Sequence, residues 1–252
     1  NGYDPHLIED CGFGSIPKYL KRQSYPKDFI NDAKVTHIWT QDINMTQHIA
    51  KACKIPYIVS NFEDLIGSVD AVLLARDDAE NHLHFAKPFL IEGIPIYIDK
   101  PLALSLNAAR KLLGLQSYAG QIFSCSALRY AEELVPNSSE LDRIGQIKSL
   151  LGFTPKSWDK YSVHVIEPLL RFLPNHDKVI KTSQWNSIAS TTLHAQFSSG
   201  IDLQVTALGD STVPITLKII GSLGCIDLQF YDSFQCFKNA LQDFIVSVKE
   251  KQ

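Results

Sequence analysis

A chain of 252 residues with 45% hydrophobic side chains can bury one large core or two ordinary ones, and two are expected. Its 24 basic and 27 acidic residues give a formal net charge of −3; with no basic run, the partner expected is a small molecule rather than nucleic acid or a membrane. Five cysteines, odd in number and without a C-x-x-C pair, argue against a disulfide framework or a metal site and fit a reducing cytoplasm.

No apolar run reaches the roughly 18 to 20 residues of a membrane span, and no signal-peptide pattern is present. Residues 1 to 34 are polar, punctuated by Gly12, Gly14, Pro17 and Pro26, and allow two short helical patches. Val35 to Thr40 reads as a strand, and Met45, Ile49, Ala50 and Cys53 recur at helical spacing in the helix that follows. A strand over Ile55–Val59, a helical turn over Phe62–Ile66 and a continuous apolar strand over Asp70–Ala75 come next. A helix from about Ala79 to Gly93 leads to the strand Pro95–Ile98, then a helix over Ser105–Leu115, and Gln121–Ala127 closes the series. Strands that are apolar along their length and alternate with helices predict a parallel sheet covered on both faces.

After about Arg129 the pattern changes. Ile147–Phe153 reads as a strand and Tyr161–Phe172 as a helix; four strands follow over Thr191–Phe197, Ile201–Leu208, Ile215–Gly221 and Cys225–Phe230. The turns Ser198-Ser199-Gly200 and Gly221 to Gly224 join consecutive strands and predict an antiparallel meander. This is an α+β domain, closed by an amphipathic helix over Phe234–Val248. The expected domains are 1–128 and 129–252.

The stretch Ile96-Tyr97-Ile98-Asp99-Lys100-Pro101 ends an apolar strand in an acid, a lysine and a proline. In open α/β sheets ligands sit at such carboxyl ends. The order of the pieces, centred on VDAVLLARDDAENHLHFAKPFLIEGIPIYIDKPLALSLNAARKLL (residues 69–113), resembles the glucose-fructose oxidoreductase, inositol dehydrogenase and MocA (Gfo/Idh/MocA) family over most of residues 35 to 230. In that family this strand ends in E-K-P followed by P-L-A; here the match is Asp99-Lys100-Pro101-Leu102-Ala103. Arg129, Gly145 to Ser149, and the strand pairs around Ser199-Gly200 and Gly221 to Gly224 match in the same order.

The resemblance implies a Rossmann-like dinucleotide domain followed by an α+β domain with an open, mainly antiparallel sheet. Lys100 would offer its cation to a substrate hydroxyl and to the cofactor ribose, with Asp99 holding it; the alternative is a surface ion pair capping a strand. Pro101 admits a cis bond, although most X–Pro bonds are trans. In Trp158-Asp159-Lys160-Tyr161-Ser162-Val163-His164-Val165-Ile166-Glu167, family members carry D-x-G-x-H-x-x-D. His164 matches the acid/base histidine and Glu167 the final acid, while Lys160 replaces the first aspartate and Ser162 the glycine. Tyr161 is the substitute proton donor. Lys160, His164 and Glu167 share one helix face. The substrate set is thus Lys100, Arg129, Lys160 and His164.

For the cofactor, NAD or NADP, a Rossmann domain needs a first strand and a G-x-G-x-x-G loop. Cys11 to Ile16 has two glycines and no preceding apolar strand, so it reads as an ordinary loop. The first strand and glycine loop are expected upstream of Asn1. Thr40, where the family often has an acid on the ribose, neither selects the 2′-hydroxyl nor repels a 2′-phosphate. The family's T-P-x-x-x-H turn corresponds to the segment after Ala75, so Ala75, Arg76, Asp77 and His82 are expected to line the cofactor with Asp99, Lys100 and Pro101; Asp77 and Asp78 also suit helix N-capping. The function implied is hydride transfer at a hydroxyl-bearing carbon of a sugar, sugar nucleotide or cyclitol, in a homodimer or homotetramer. The alternative is a non-catalytic member that binds dinucleotide or sugar as a regulator or sensor.

Overall fold

The computed structural model describes residues 1–250. The chain divides into two compact units: residues 1–124 with the C-terminal segment from 238, and residues 125–237.

In the first unit a 3-10 turn (Leu7–Asp10) and helix α1 (Ser15–Leu20) precede β1 (His37–Ile38), α2 (Ile43–Ala52) and β2 (Tyr57–Ile58). Then come β3 (Val72–Leu74), α3 (His82–Ile91), β4 (Ile96–Ile98), α4 (Leu106–Leu113) and β5 (Ile122–Phe123). Every ladder is parallel, as expected for apolar strands separated by helices. They form a two-stranded sheet, β1-β2, and a three-stranded one, β3-β4-β5. The strands are shorter than their apolar runs because side chains take over at their ends. Past Ile38, the Trp39 ring turns onto Phe62 and Phe85 (centroids 5.4 and 5.7 Å), and the Thr40 hydroxyl bonds the start of α2.

Helix α2 starts where Asp42 accepts from the Asn44 amide (2.8 Å), and α4 where Ser105 accepts from Ala108 (3.2 Å). The core gathers Val72, Leu74, Phe85, Phe89, Leu90, Ile96, Ile98 and Leu112. One buried polar side chain ties it together. The Gln121 amide donates to the carbonyls of Leu90 (3.0 Å) and Ile94 (3.1 Å), and its oxygen accepts from Ser117 (2.7 Å). It thereby fixes the turn from α3 into β4.

In the second unit the elements are α5 (Ser138–Ile144), β6 (Ile147–Thr154), α6 (Trp158–Tyr161), α7 (Val163–Leu170), β7 (Val179–Asn186), β8 (Thr191–Phe197), β9 (Asp202–Ala207), β10 (Thr216–Gly221) and β11 (Cys225–Gln229). Helix α8 (Ser233–Glu250) starts here, and its residues from Lys238 group with the first unit, where Phe244 packs on Tyr97 and Phe123 (5.6 and 5.7 Å). The sheet order is β11-β10-β6-β9-β8-β7. It is mainly antiparallel, but β6 runs parallel to β9 between the two hairpins, so the expected meander is interrupted. Strand β7 escaped the sequence reading because seven of its eight residues are exposed, with no buried face to set a period.

One sheet face is packed. Leu150, Leu203, Val205, Leu217 and Ile219 are buried on it, and α7 lies close because β6 offers a glycine there. A Cβ added to Gly152 would fall 1.9 Å from Cγ1 of Val165. On the other face the register lines up Asp227, Lys218, Leu151, Gln204, His194 and Ser183 across all six strands. Among the described residues no helix is long and apolar enough to cross a membrane.

Candidate functional site

The carboxyl ends of β3 and β4 carry the first group of candidate residues. Lys100 follows β4 by two residues; its side chain is 19% exposed and its Nζ lies 3.5 Å from Asp99. The Lys100–Pro101 bond is cis. The Asp99 amide donates to the Leu74 carbonyl (3.1 Å), which carries the β3-β4 ladder one residue past the strands. His82 is fully buried, with Nε2 3.0 Å from the Arg76 carbonyl and Nδ1 3.2 Å from the Leu102 carbonyl. It therefore staples the loop after β3 to the loop after β4. Both its ring nitrogens face the chain itself.

Arg76 is also engaged internally. Its guanidinium pairs with Asp78 and stacks 4.1 Å over the Phe85 ring. Asp78 accepts from Asn81 as well (2.8 Å), and the Arg76 partner first, then Asn81, hold its carboxyl down at about 2. The N-capping expected of Asp78 is replaced by this pair: its side chain makes no cap bond to the following 3-10 turn. Ala75 and Asp77 are exposed beside it. The Thr40 hydroxyl is shared with the Asp42 carbonyl (2.8 Å) and Thr46 (2.7 Å).

A nicotinamide cofactor can be tested against these groups. Lys100, shielded and carboxylate-paired at a sheet's carboxyl end, fits the ribose and nicotinamide end. The segment Cys11 to Ile16 does not make a phosphate cradle: a 3-10 turn, not a strand, precedes it, and Gly14 opens a helix of only six residues.

The second group lies in the second unit, at the start of α7. His164 is 7% exposed, and its Nδ1 is 2.8 Å from the hydroxyl of the fully buried Ser126. One turn on, Glu167 accepts from the Ser126 amide (2.6 Å) and pairs with Arg129. Burial is the largest influence on Arg129 and would lower its pKa; Glu167, Cys125 and Tyr130 together outweigh it, and the net direction is up. Arg171, lowered by burial and by Arg129, donates to the Arg129 carbonyl. Tyr161 sets its ring edge-on to His164 (5.4 Å), and its hydroxyl accepts from Lys156 (2.6 Å). Lys156 sits in the left-handed region (φ 63°). Lys160 is exposed.

The structure thus gathers His164, Glu167, Tyr161 and Arg129 into one cluster, and Arg76, His82, Asp99 and Lys100 into another. Ser126 and Lys156 were missed in sequence. Nothing in SCSALRY marks the serine, since its role depends on a turn that only the fold makes.

Residues 11–126 match the oxidoreductase family described by its NAD-binding Rossmann fold, GFO_IDH_MocA. No curated protein matches. Among solved structures, myo-inositol 2-dehydrogenase from Lactobacillus plantarum is 16% identical, with a TM-score of 0.72 over 96% of this chain and 88% of that one. Apo scyllo-inositol dehydrogenase from Lactobacillus casei is 15% identical, with a TM-score of 0.75 over 96% and 87%. The myo-inositol dehydrogenase of L. casei, solved with NAD(H) and myo-inositol, is 17% identical, with a TM-score of 0.70 over 88% and 80%. At these identities the likeness carries the fold, a Rossmann-like parallel domain with a mixed-sheet domain. The family match covers residues 11–126 and includes the D-K-P segment at the carboxyl end of β4.

Proposed function

We propose that the protein is an NAD(P)-dependent dehydrogenase that moves a hydride to or from a hydroxyl-bearing carbon of a cyclitol, sugar or sugar nucleotide. The observation that carries this reading is Lys100: a largely buried lysine beside a carboxylate at the carboxyl end of a parallel strand. When bound, the nicotinamide supplies the hydride chemistry. Lys100 is assigned to offer its cation to the reacting hydroxyl and the cofactor ribose, His164 to act as acid/base on the substrate, and Tyr161 as the reserve proton donor. Arg129 and Lys160 are assigned to the substrate; Thr40, Ala75, Arg76, Asp77, His82, Asp99 and Pro101 to the cofactor side, where His82 acts by fixing both loops. The names of the inositol dehydrogenases of like fold support cyclitols as the first substrates to try.

Self-association into a dimer or tetramer belongs to the same reading. It is supported by apolar side chains left exposed on the six-stranded sheet, Ile180 and Trp185 among them.

The test is reduction of NAD and NADP in the presence of myo- or scyllo-inositol, compared with Lys100→Ala. Loss of about 10²- to 10⁴-fold in turnover is expected. Turnover unchanged by the substitution returns Lys100 to a surface ion pair. Saturable cofactor or cyclitol binding without turnover in the native chain favours the sensor reading, which exposed Lys160 in place of the family's aspartate supports.

A further inference from the structure

We propose that Lys156 and Tyr161 form a recognition site for an anionic oxygen, that of a carboxylate or a phosphate, so that the substrate is an acidic or phosphorylated polyol rather than a neutral one. The second half of this statement rests on the proposed function; the anion site itself does not.

The site follows from counting donors and acceptors. An ammonium can only donate, so in the 2.6 Å bond between Lys156 Nζ and the Tyr161 hydroxyl the phenol oxygen is the acceptor. The phenol keeps its own proton to give, and no acceptor for it stands among the described residues. Nζ also lies 4.6 Å from the centroid of the Tyr161 ring. Among the described residues no carboxylate pairs with Lys156, although Asp159 and Asp210 belong to the segments around it. What the pair offers a ligand is therefore a set of donors with one net positive charge. A neutral hydroxyl would use the donors alone; an anionic oxygen uses both donors and charge. Lys160, exposed on α6, adds a second positive charge to the same stretch.

The backbone holds this lysine in place. It sits at φ 63°, a left-handed conformation that suits glycine or asparagine, and its amide and carbonyl bond those of Gly209 (2.6 and 3.1 Å). Gly209 is confined in turn, since a Cβ on it would fall 3.0 Å from the Ala189 carbonyl oxygen in the β7–β8 turn. A lysine gains nothing from such a backbone, so its presence there is explained by what its side chain reaches. Tyr161 is fixed from its other side, with its ring edge-on to His164 at 5.4 Å. An anion on the pair would thus lie beside the imidazole assigned as acid/base, within the second unit.

The test is made by NMR on the whole chain without cofactor. Lysine side-chain and tyrosine ring signals are assigned by their loss in Lys156→Met and Tyr161→Phe. D-glucuronate, D-glucose 6-phosphate, D-glucose and inorganic phosphate are then titrated at constant ionic strength. Saturable shifts of Lys156 and Tyr161 are expected with a sugar anion and not with glucose, and the tighter of the two anions tells carboxylate from phosphate. The apparent affinity should fall about three- to tenfold in Lys156→Met and be partly kept in Lys156→Arg. No shift with either sugar anion, equal shifts with glucose, or an affinity unchanged in Lys156→Met overturns the proposal. So does inorganic phosphate binding as tightly as the sugar anions, since a bare ion is then all that the site takes. Anion binding by a chain that never reduces NAD or NADP sinks the dehydrogenase reading and leaves the site standing; oxidation of a neutral cyclitol without anion binding does the opposite.

Discussion

The two units build their sheets in opposite ways. In the first, five strands of two or three residues make only short ladders; in the second, six strands of five to eight residues make one continuous ladder. Where the ladder is short, side chains must do the joining: Gln121 bolts α3 to β4, His82 bolts two loops together, and the Trp39–Phe62–Phe85 cluster covers the ends of the strands. Where the ladder is long, side chains are left to place helices, and the decisive residue is one that has none, Gly152. The contrast says that polar substitutions should hurt the first unit most and volume changes the second.

Gln121→Leu probes the first half of that statement. It keeps the bulk but strips the partners from the Ile94 carbonyl and the Ser117 amide, and a buried group left unpaired costs about 1–3 kcal/mol. A loss near the top of that range, about 3 kcal/mol by urea unfolding, is expected. A neutral result would mean that the short ladders suffice without the bolt.

Gly152→Ala probes the second half. The new methyl would overlap Val165, and overpacking of this kind costs about 1–3 kcal/mol. Its partner variant sharpens the comparison: adding Val165→Ala should recover part of the loss. If the double variant is no better than the sum of the singles, the glycine matters for its backbone and not for the approach of α7.

The charged staple after β3 gives a smaller, pH-dependent effect. Because Arg76 lowers the Asp78 carboxyl to about 2 from its ordinary 3.8, the pair stabilises the fold above pH 4 and that contribution fades as pH falls through the interval toward 2. The acid-unfolding curve of Asp78→Asn should therefore differ from the native one near neutral pH and converge on it in strong acid. Parallel curves across the whole range would show that the pair contributes nothing.

The smallest expected effect is chemical. Burial, then the nearby Glu133 and Asp232, pushes the Cys236 thiol up to about 12, whereas Cys225 lies exposed on β11. At pH 8 iodoacetamide should label Cys225 and leave Cys236 untouched in the folded protein, since the thiolate is the reactive form. Fast labelling of Cys236 would place the start of α8 among loosely held segments.

Much of this architecture was legible because apolar runs and helical spacing report burial. The strand before Asp99 and the helix bearing His164 were both readable in this way. The D-K-P segment drew attention because it breaks an apolar run where a crevice is expected. What escaped were features with no period and no composition of their own: β7, whose side chains face solvent; the parallel β6–β9 pairing, since adjacency in a sheet is not adjacency in sequence; and the bond from Ser126 to His164, which spans 38 positions. The expected capping by Asp78 failed for a related reason. A carboxylate chooses between a backbone amide and a guanidinium by geometry, and Arg76 two residues earlier was the nearer partner.

The placement of β6 also sets the order in which the second unit can be made. Ser149 pairs with Asp202 on one side and with Ile220 on the other, so this central strand is the first of its sheet to be synthesised while both of its partners come much later. On the ribosome it must wait, with Leu150 and Leu151 unpaired, until more than fifty further residues have emerged. Such distant pairing folds slowly and leaves apolar strand exposed in the meantime. Expression of this protein should therefore respond to chaperone supply and to growth temperature more than its finished stability would suggest.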